Sequence, residues 1–95
     1  MAAYLLIRVA VHDPVQYEEY KLRTPAVVGA FGGEFIVRGG LADVVEGEPD
    51  DRRVVVVRFP TIEQARAFLN SPEYAAVKAY RIGAADMEIV VVEGS

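Results

Sequence analysis

Residues 53–59 read Arg-Val-Val-Val-Val-Arg-Phe, and these four consecutive valines constrain the fold more than any other stretch of the chain. β-Branched side chains lose rotamer freedom in a helix and pack well on a pleated surface, so the run predicts a strand. Successive side chains of a strand point to opposite faces. Val55 and Val57 therefore face one way, Val54 and Val56 the other, and neither pair suits water. A sheet built around this strand needs cover on both faces. With 95 residues the chain has the length of one domain, so a single domain over residues 1–95 must supply that cover or borrow it from a second copy.

The flanking segments supply half of it. Residues 3–11 (AYLLIRVAV) predict a first strand. Asp13 then suits a helix N-cap, Pro14 the first turn, and Gln16 the position three residues on. Pro25 is expected to kink or restart this helix with Thr24 as the new cap, and Gly32-Gly33 to close it. Residues 34–47 read as a long strand interrupted by a bulge at Gly39-Gly40. A polar turn over 48–51 leads into the valine strand. Thr61 and Gln64 form a capping box for the second helix. Asn70-Ser71-Pro72 breaks that helix, Ser71 recaps a continuation through Tyr74, Val77 and Arg81, and Gly83 ends it. Residues 87–93 form the last strand. Val44-Val45-Glu46-Gly47 recurs as Val91-Val92-Glu93-Gly94, and Thr24-Pro25 as Ser71-Pro72, which suggests two matching β-α-β halves. The order β-α-β-β-α-β predicts an α+β, ferredoxin-like fold with an antiparallel sheet.

Such a sheet carries both helices on one face. The other face bears Val54 and Val56, whose burial is worth about 1.5 kcal/mol or more each. The chain is 53% hydrophobic, and a small domain has little interior to hide that fraction. A two-fold homodimer, its sheets face to face around a shared cavity, is the expected solution.

Composition also narrows the chemistry. Ten Lys and Arg against fourteen Asp and Glu give a net charge of −4, without the basic footprint of a nucleic-acid or membrane-surface binder. Zero Cys and one His leave no thiol nucleophile and remove most parts of the usual metal sites, with His12 alone to serve a triad, so neither a metal nor a cofactor is expected. The apolar start at residues 2–7 lacks the charged beginning of a secretory segment, and no window approaches the ~20 apolar residues of a membrane span. A cytoplasmic protein is the expectation.

Alternation nominates side chains for a site. Leu5, Ile7, Val9 and Val11 form an apolar row for the helices, while Tyr4, Arg8 and His12 share the opposite row. Phe35 and Val37 oppose Glu34, Ile36 and Arg38, and Arg58 shares parity with Val54 and Val56. Folding the hairpin about residue 49 brings Arg38 toward residues 59–60, the bulge at Gly39-Gly40 moves it nearer to Arg58, and Arg8, Arg38 and Arg58 are expected to converge. Guanidinium groups hold their charge and bind carboxylate or phosphate in a fork, which suits a small organic anion. Tyr4, Tyr17 or Tyr20 would add hydroxyls. Equally, the three arginines pair with Glu34, Glu46 or Glu88 and serve a dimer interface. Arg81 is a fourth binding candidate or a favourable charge near a helix end. His12 is a general base or an exposed turn residue, and Tyr17 an acid or a packing residue.

Asp13-Pro14 with Tyr17 and Tyr20, Phe31-Gly32-Gly33, Arg38-Gly39-Gly40, Glu46-Gly47, Phe59-Pro60, Ser71-Pro72-Glu73-Tyr74, Arg81 and Val92-Glu93-Gly94 occur in this order along nearly the whole chain. Together they resemble the domain-of-unknown-function 1330 family. The resemblance implies a ferredoxin-like protomer of the dimeric α/β-barrel superfamily and no particular reaction. That superfamily includes cofactor-free oxygenases, cyclases, isomerases and haem enzymes; a haem here would rest on His12 alone. Two readings remain: a metal-free enzyme or binding protein for a small anionic metabolite, and an interaction module with no ligand.

Overall fold

The computed structural model describes residues 1–95 and comprises β1 (Ala3–Val11), α1 (Pro14–Ala30), β2 (Glu34–Arg38), β3 (Arg53–Phe59), α2 (Ile62–Leu69), α3 (Pro72–Lys78) and β4 (Ala85–Glu93). The strands lie in the order β2-β3-β1-β4 with every neighbouring pair antiparallel. The architecture is α+β and ferredoxin-like; the sheet of the single chain stays open and does not close into a barrel. No helix is long and apolar enough to cross a membrane.

All three helices cover one face of the sheet. Ala3, Leu5, Ile7 and Val9 of β1, Val57 and Phe59 of β3 and Ala85 of β4 are buried there. They pack with Tyr17, Tyr20 and Val28 of α1, Ala65 and Phe68 of α2, and Tyr74 and Val77 of α3. Phe68 sits at the centre, its ring 5.4 Å from Phe59, 4.6 Å from Tyr74 and 6.1 Å from Phe31. The chain enters this layer by a close approach at Gly33, where a Cβ would lie 2.6 Å from the Phe59 ring.

The caps are the expected ones. Asp13 Oδ1 accepts from the Gln16 amide at 3.1 Å, Thr61 Oγ1 from that of Gln64 at 3.2 Å, and Ser71 Oγ from that of Tyr74 at 3.0 Å. Pro25 behaves differently from expectation: α1 runs through it unbroken. Its ring removes the amide that would bond to the carbonyl of Lys21. The Arg38 guanidinium, reaching across from β2, donates to that carbonyl through Nη2 at 3.4 Å. Thr24 does not cap a new helix, because its hydroxyl donates back to the Tyr20 carbonyl at 2.6 Å.

The second strand also departs from the sequence reading. It stops at Arg38, and residues 39–52 form a connection outside the sheet. Gly39 takes φ +76°, a left-handed conformation that turns the chain out of the strand. Val44–Gly47 thus ends no strand, and the apparent repeat of Val91–Gly94 has no structural counterpart. The end of this connection is exposed, as a polar turn should be, except that Asp50 is partly buried and tied to Arg8 and Arg52. The last strand begins at Ala85, two residues before the expected start. Helix α3 ends at Lys78, leaving Arg81 in the turn that follows.

A bulge does occur, but at Ile36 and not at the glycines. Phe35 pairs with Val57 and Val37 with Val56, which leaves Ile36 out of the ladder. One extra residue reverses the alternation beyond it. Val37 consequently points to the open face, and Arg38, paired with Val55, points to the helix side.

Candidate functional site

Two cross-strand rows on the helix side form the floor of a cavity of about 80 Å³. The first is Arg38, Val55, Ile7 and Ile89; the second is Arg53, Val9 and Met87. Tyr17, Tyr20, Lys21 and Thr24 of α1 form its roof, with Phe68 and Tyr74 closing the interior. One water needs about 10–15 Å³, so the space accommodates a small ring or a short chain. A wider depression of about 310 Å³ adjoins it and shares Val9, Tyr17, Lys21 and Arg53. These shared residues form the neck.

The lining has no carboxylate, although the chain is acidic overall. Its charges are Lys21, Arg38 and Arg53. Lys21 is paired with Glu18 at 3.2 Å. Neither Arg38 nor Arg53 has an acidic partner: the Arg38 guanidinium lies 4.6 Å from the Phe35 ring centre and bonds only to the Lys21 carbonyl. Arg53 follows the end of β2, so no neighbouring strand covers it on that side.

The polar interior is made of tyrosines. The Tyr20 and Tyr74 hydroxyls are 2.9 Å apart, and the Tyr17 ring stacks on Tyr20 at 5.5 Å. Desolvation raises the pKa of the Tyr17 phenol. Desolvation, followed by the neighbouring Tyr74, raises that of Tyr20 well beyond the ordinary phenol range. Both phenols are protonated at neutral pH. Arg81 is buried beside this group, its guanidinium carbon 5.8 Å from the Tyr20 ring centre, with Nε unpartnered and no ion pair.

The structure thus divides the residues that alternation had gathered. Arg38, Tyr17 and Tyr20 line the cavity, and Arg81 stands behind them. Arg8, Arg58 and Tyr4 belong to the opposite, helix-free face. The predicted meeting of Arg8, Arg38 and Arg58 does not occur, because the bulge at Ile36 sends Arg38 through the sheet to the other side. Arg8 pairs with Asp50 at 2.8 Å and Arg58 with Glu34 at 3.6 Å. His12 is exposed and contacts Asp86 through Nε2 at 2.7 Å, and it does not line the cavity. No three His, Asp or Glu side chains gather where they could hold a metal ion. Sequence reasoning missed Arg53, Lys21 and Tyr74. Arg53 was within reach of the argument, since it shares parity with Val55, Val57 and Phe59.

On the open face, the Asp50 cluster has a testable consequence. Hydrogen bonds from Arg52, then the charges of Arg52 and the bond from Arg8, hold the Asp50 carboxyl well below the usual carboxylate range. A depressed folded pKa stabilises above the unfolded value near ~3.9 and is lost as the pH falls below it. Asp50→Asn should therefore be less stable than the parent near neutral pH. The two proteins should draw together as the pH falls below about 4 and meet only below the depressed folded pKa of Asp50, as read by thermal unfolding. Identical profiles across the range would show that the cluster contributes nothing.

The fold has known counterparts. A protein of unknown function from Rhodopseudomonas palustris superposes with a TM-score of 0.75 at 18% identity, over 99% of this chain and 82% of that one. SnoaB, a cofactor-independent oxygenase from Streptomyces nogalater, gives 0.64 at 16% identity over 99% and 93%. A dimeric ferredoxin-like protein of unknown function from Thermobifida fusca gives 0.65 at 20% identity over 99% and 92%. At these identities the likeness establishes the fold alone. No curated protein matches the sequence at a significant level. The model of the domain of unknown function 1330 (DUF1330) matches residues 2–95, and the chain belongs to that family.

Proposed function

We propose that the protein is a homodimer whose helix-side cavity binds a small organic anion with an apolar body. The observation that carries this reading is the cavity lining: Arg38 and Arg53, neither with an acidic partner, stand with Lys21 at a largely apolar space whose lining holds no carboxylate. Two cations held near each other without an anion are a standing electrostatic cost, which a ligand carboxylate relieves. The apolar floor of Val55, Ile7, Ile89 and Met87 takes the body of the ligand. With no imidazole or carboxylate at hand and its phenols protonated, the cavity is better fitted to binding than to proton abstraction.

The opposite face supports the second reading, an interaction surface, in the same molecule. There Arg8 and Arg58 are already satisfied by Asp50 and Glu34, and an apolar stripe of Val37, Val56, Leu6 and Val90 crosses all four strands. Face-to-face pairing of two sheets buries this stripe while leaving the cavity on the outer, helix side of each protomer.

Benzoate serves as the probe. Charge-assisted hydrogen bonds are worth about 1.5–3 kcal/mol, so Arg53→Ala and Arg38→Ala should each weaken benzoate binding by about tenfold or more in calorimetric titration. The dimer should survive both substitutions. Unchanged benzoate affinity, or dissociation of the dimer by Arg38→Ala, would remove the basis of the proposal.

A further inference from the structure

The Tyr20–Tyr74 pair fixes a second property of the ligand. Two hydroxyls carry two protons. One proton lies between the two oxygens at 2.9 Å, and neither oxygen has any other hydrogen-bond partner in the protein. One O–H of the pair is therefore left without an acceptor. Both side chains are buried, Tyr20 at 6% and Tyr74 at 4% exposure, and both line the cavity. An unsatisfied buried donor costs roughly what a lost hydrogen bond costs, and a cavity ligand offering an oxygen recovers it.

The two polar ends of the cavity come from different layers. Arg38 and Arg53 belong to the sheet, on β2 and β3, whereas the hydroxyl pair joins α1 to α3 across the helix layer. The buried Arg81 guanidinium lies beside Tyr20 without an acidic partner, and its positive charge polarises the phenol toward donation. Burial keeps Tyr20 protonated, so the pair remains a donor throughout the physiological pH range.

We infer that the ligand is bifunctional, an organic acid whose apolar body ends in a carbonyl or similar oxygen that accepts a hydrogen bond from the spare O–H of the Tyr20–Tyr74 pair. This inference rests on reading the cavity as an anion site and adds its selectivity. A site built to hydrogen-bond an oxygen discriminates against an analogue of the same shape that lacks it.

The test compares 4-acetylbenzoate with 4-isopropenylbenzoate, which share charge and nearly the same size and differ chiefly in one acceptor oxygen. Calorimetric titration of the wild-type protein should show the acetyl compound binding about tenfold tighter. In the Tyr20→Phe/Tyr74→Phe double variant the preference should fall to about one, with isopropenyl binding retained as proof that the cavity is intact. If the two compounds bind the wild type equally, the inference fails and the anion-site reading stands. A preference that persists in the double variant also overturns it, since the oxygen then has another partner. If neither compound binds at millimolar concentration, the reading of the cavity as an anion site fails and this inference falls with it.

Discussion

Leu6→Asp should turn the proposed dimer into a folded monomer. Leu6 lies on the central strand β1, paired with Val56 on one side and Val90 on the other, in the stripe that crosses the open face. In the single chain it is 45% exposed, so an aspartate there keeps its contact with water and costs the protomer little beyond β-propensity, about 1 kcal/mol. In a face-to-face dimer the same carboxylate is desolvated twice, once from each copy. An unpaired buried charge costs several kcal/mol, and each 1.4 kcal/mol is tenfold in affinity. The dissociation constant should rise by at least about a thousandfold, read by sedimentation velocity with circular dichroism as the check on folding. A variant that remains dimeric at the parent's affinity, or a parent that is monomeric at micromolar concentration, would place the contact elsewhere or abolish it.

Phe68→Ala should be the most damaging single truncation in the core. Phe68 is 2% exposed and meets Phe31, Phe59 and Tyr74, so it links the C-cap of α1, the valine strand and α3 through one ring. Phe-to-Ala changes at such sites cost about 3–5 kcal/mol, the lost transfer energy plus the cavity left behind. The ring also walls the existing cavity, so its removal enlarges a space that is already open. A domain of this size has only about 5–15 kcal/mol of stability in total. The melting temperature should fall by more than about 10 °C, whereas Phe68→Leu, which retains most of the volume, should lose much less. A loss below about 1 kcal/mol for the alanine variant would mean that the aromatic cluster is not what seats α2 on the sheet.

What could be read from the sequence was what depends on neighbours in the chain. The strands β1 and β3 have the expected boundaries because alternation and β-branching are local properties. The three caps act within three residues of themselves and were equally legible. Thr24-Pro25 and Ser71-Pro72 look alike in sequence and differ in outcome. Arg38 donates to the Lys21 carbonyl that Pro25 leaves free, and nothing near Pro25 announces that contact. The bulge at Ile36 was illegible for the same reason, being a property of how β2 meets β3. A parity argument carried past it assigns every later residue to the wrong face, and the candidate site had been assembled that way. The fold therefore survived its local errors, whereas the site depended on one of them.

The short, irregular β2 limits how copies of the chain could meet. It is one rim of the sheet, only five residues long and one of them out of the ladder. The other rim, β4, is longer but carries Asp86, Glu88 and Glu93. Short, kinked or charged rims are poor templates for adding another chain's strand. Lateral growth, the route to ribbons and fibres, is thereby discouraged at both sides, and the attraction left is broadside. In the proposed homodimer, broadside pairing about a two-fold axis consumes the surface that drives it, so assembly is expected to stop at two.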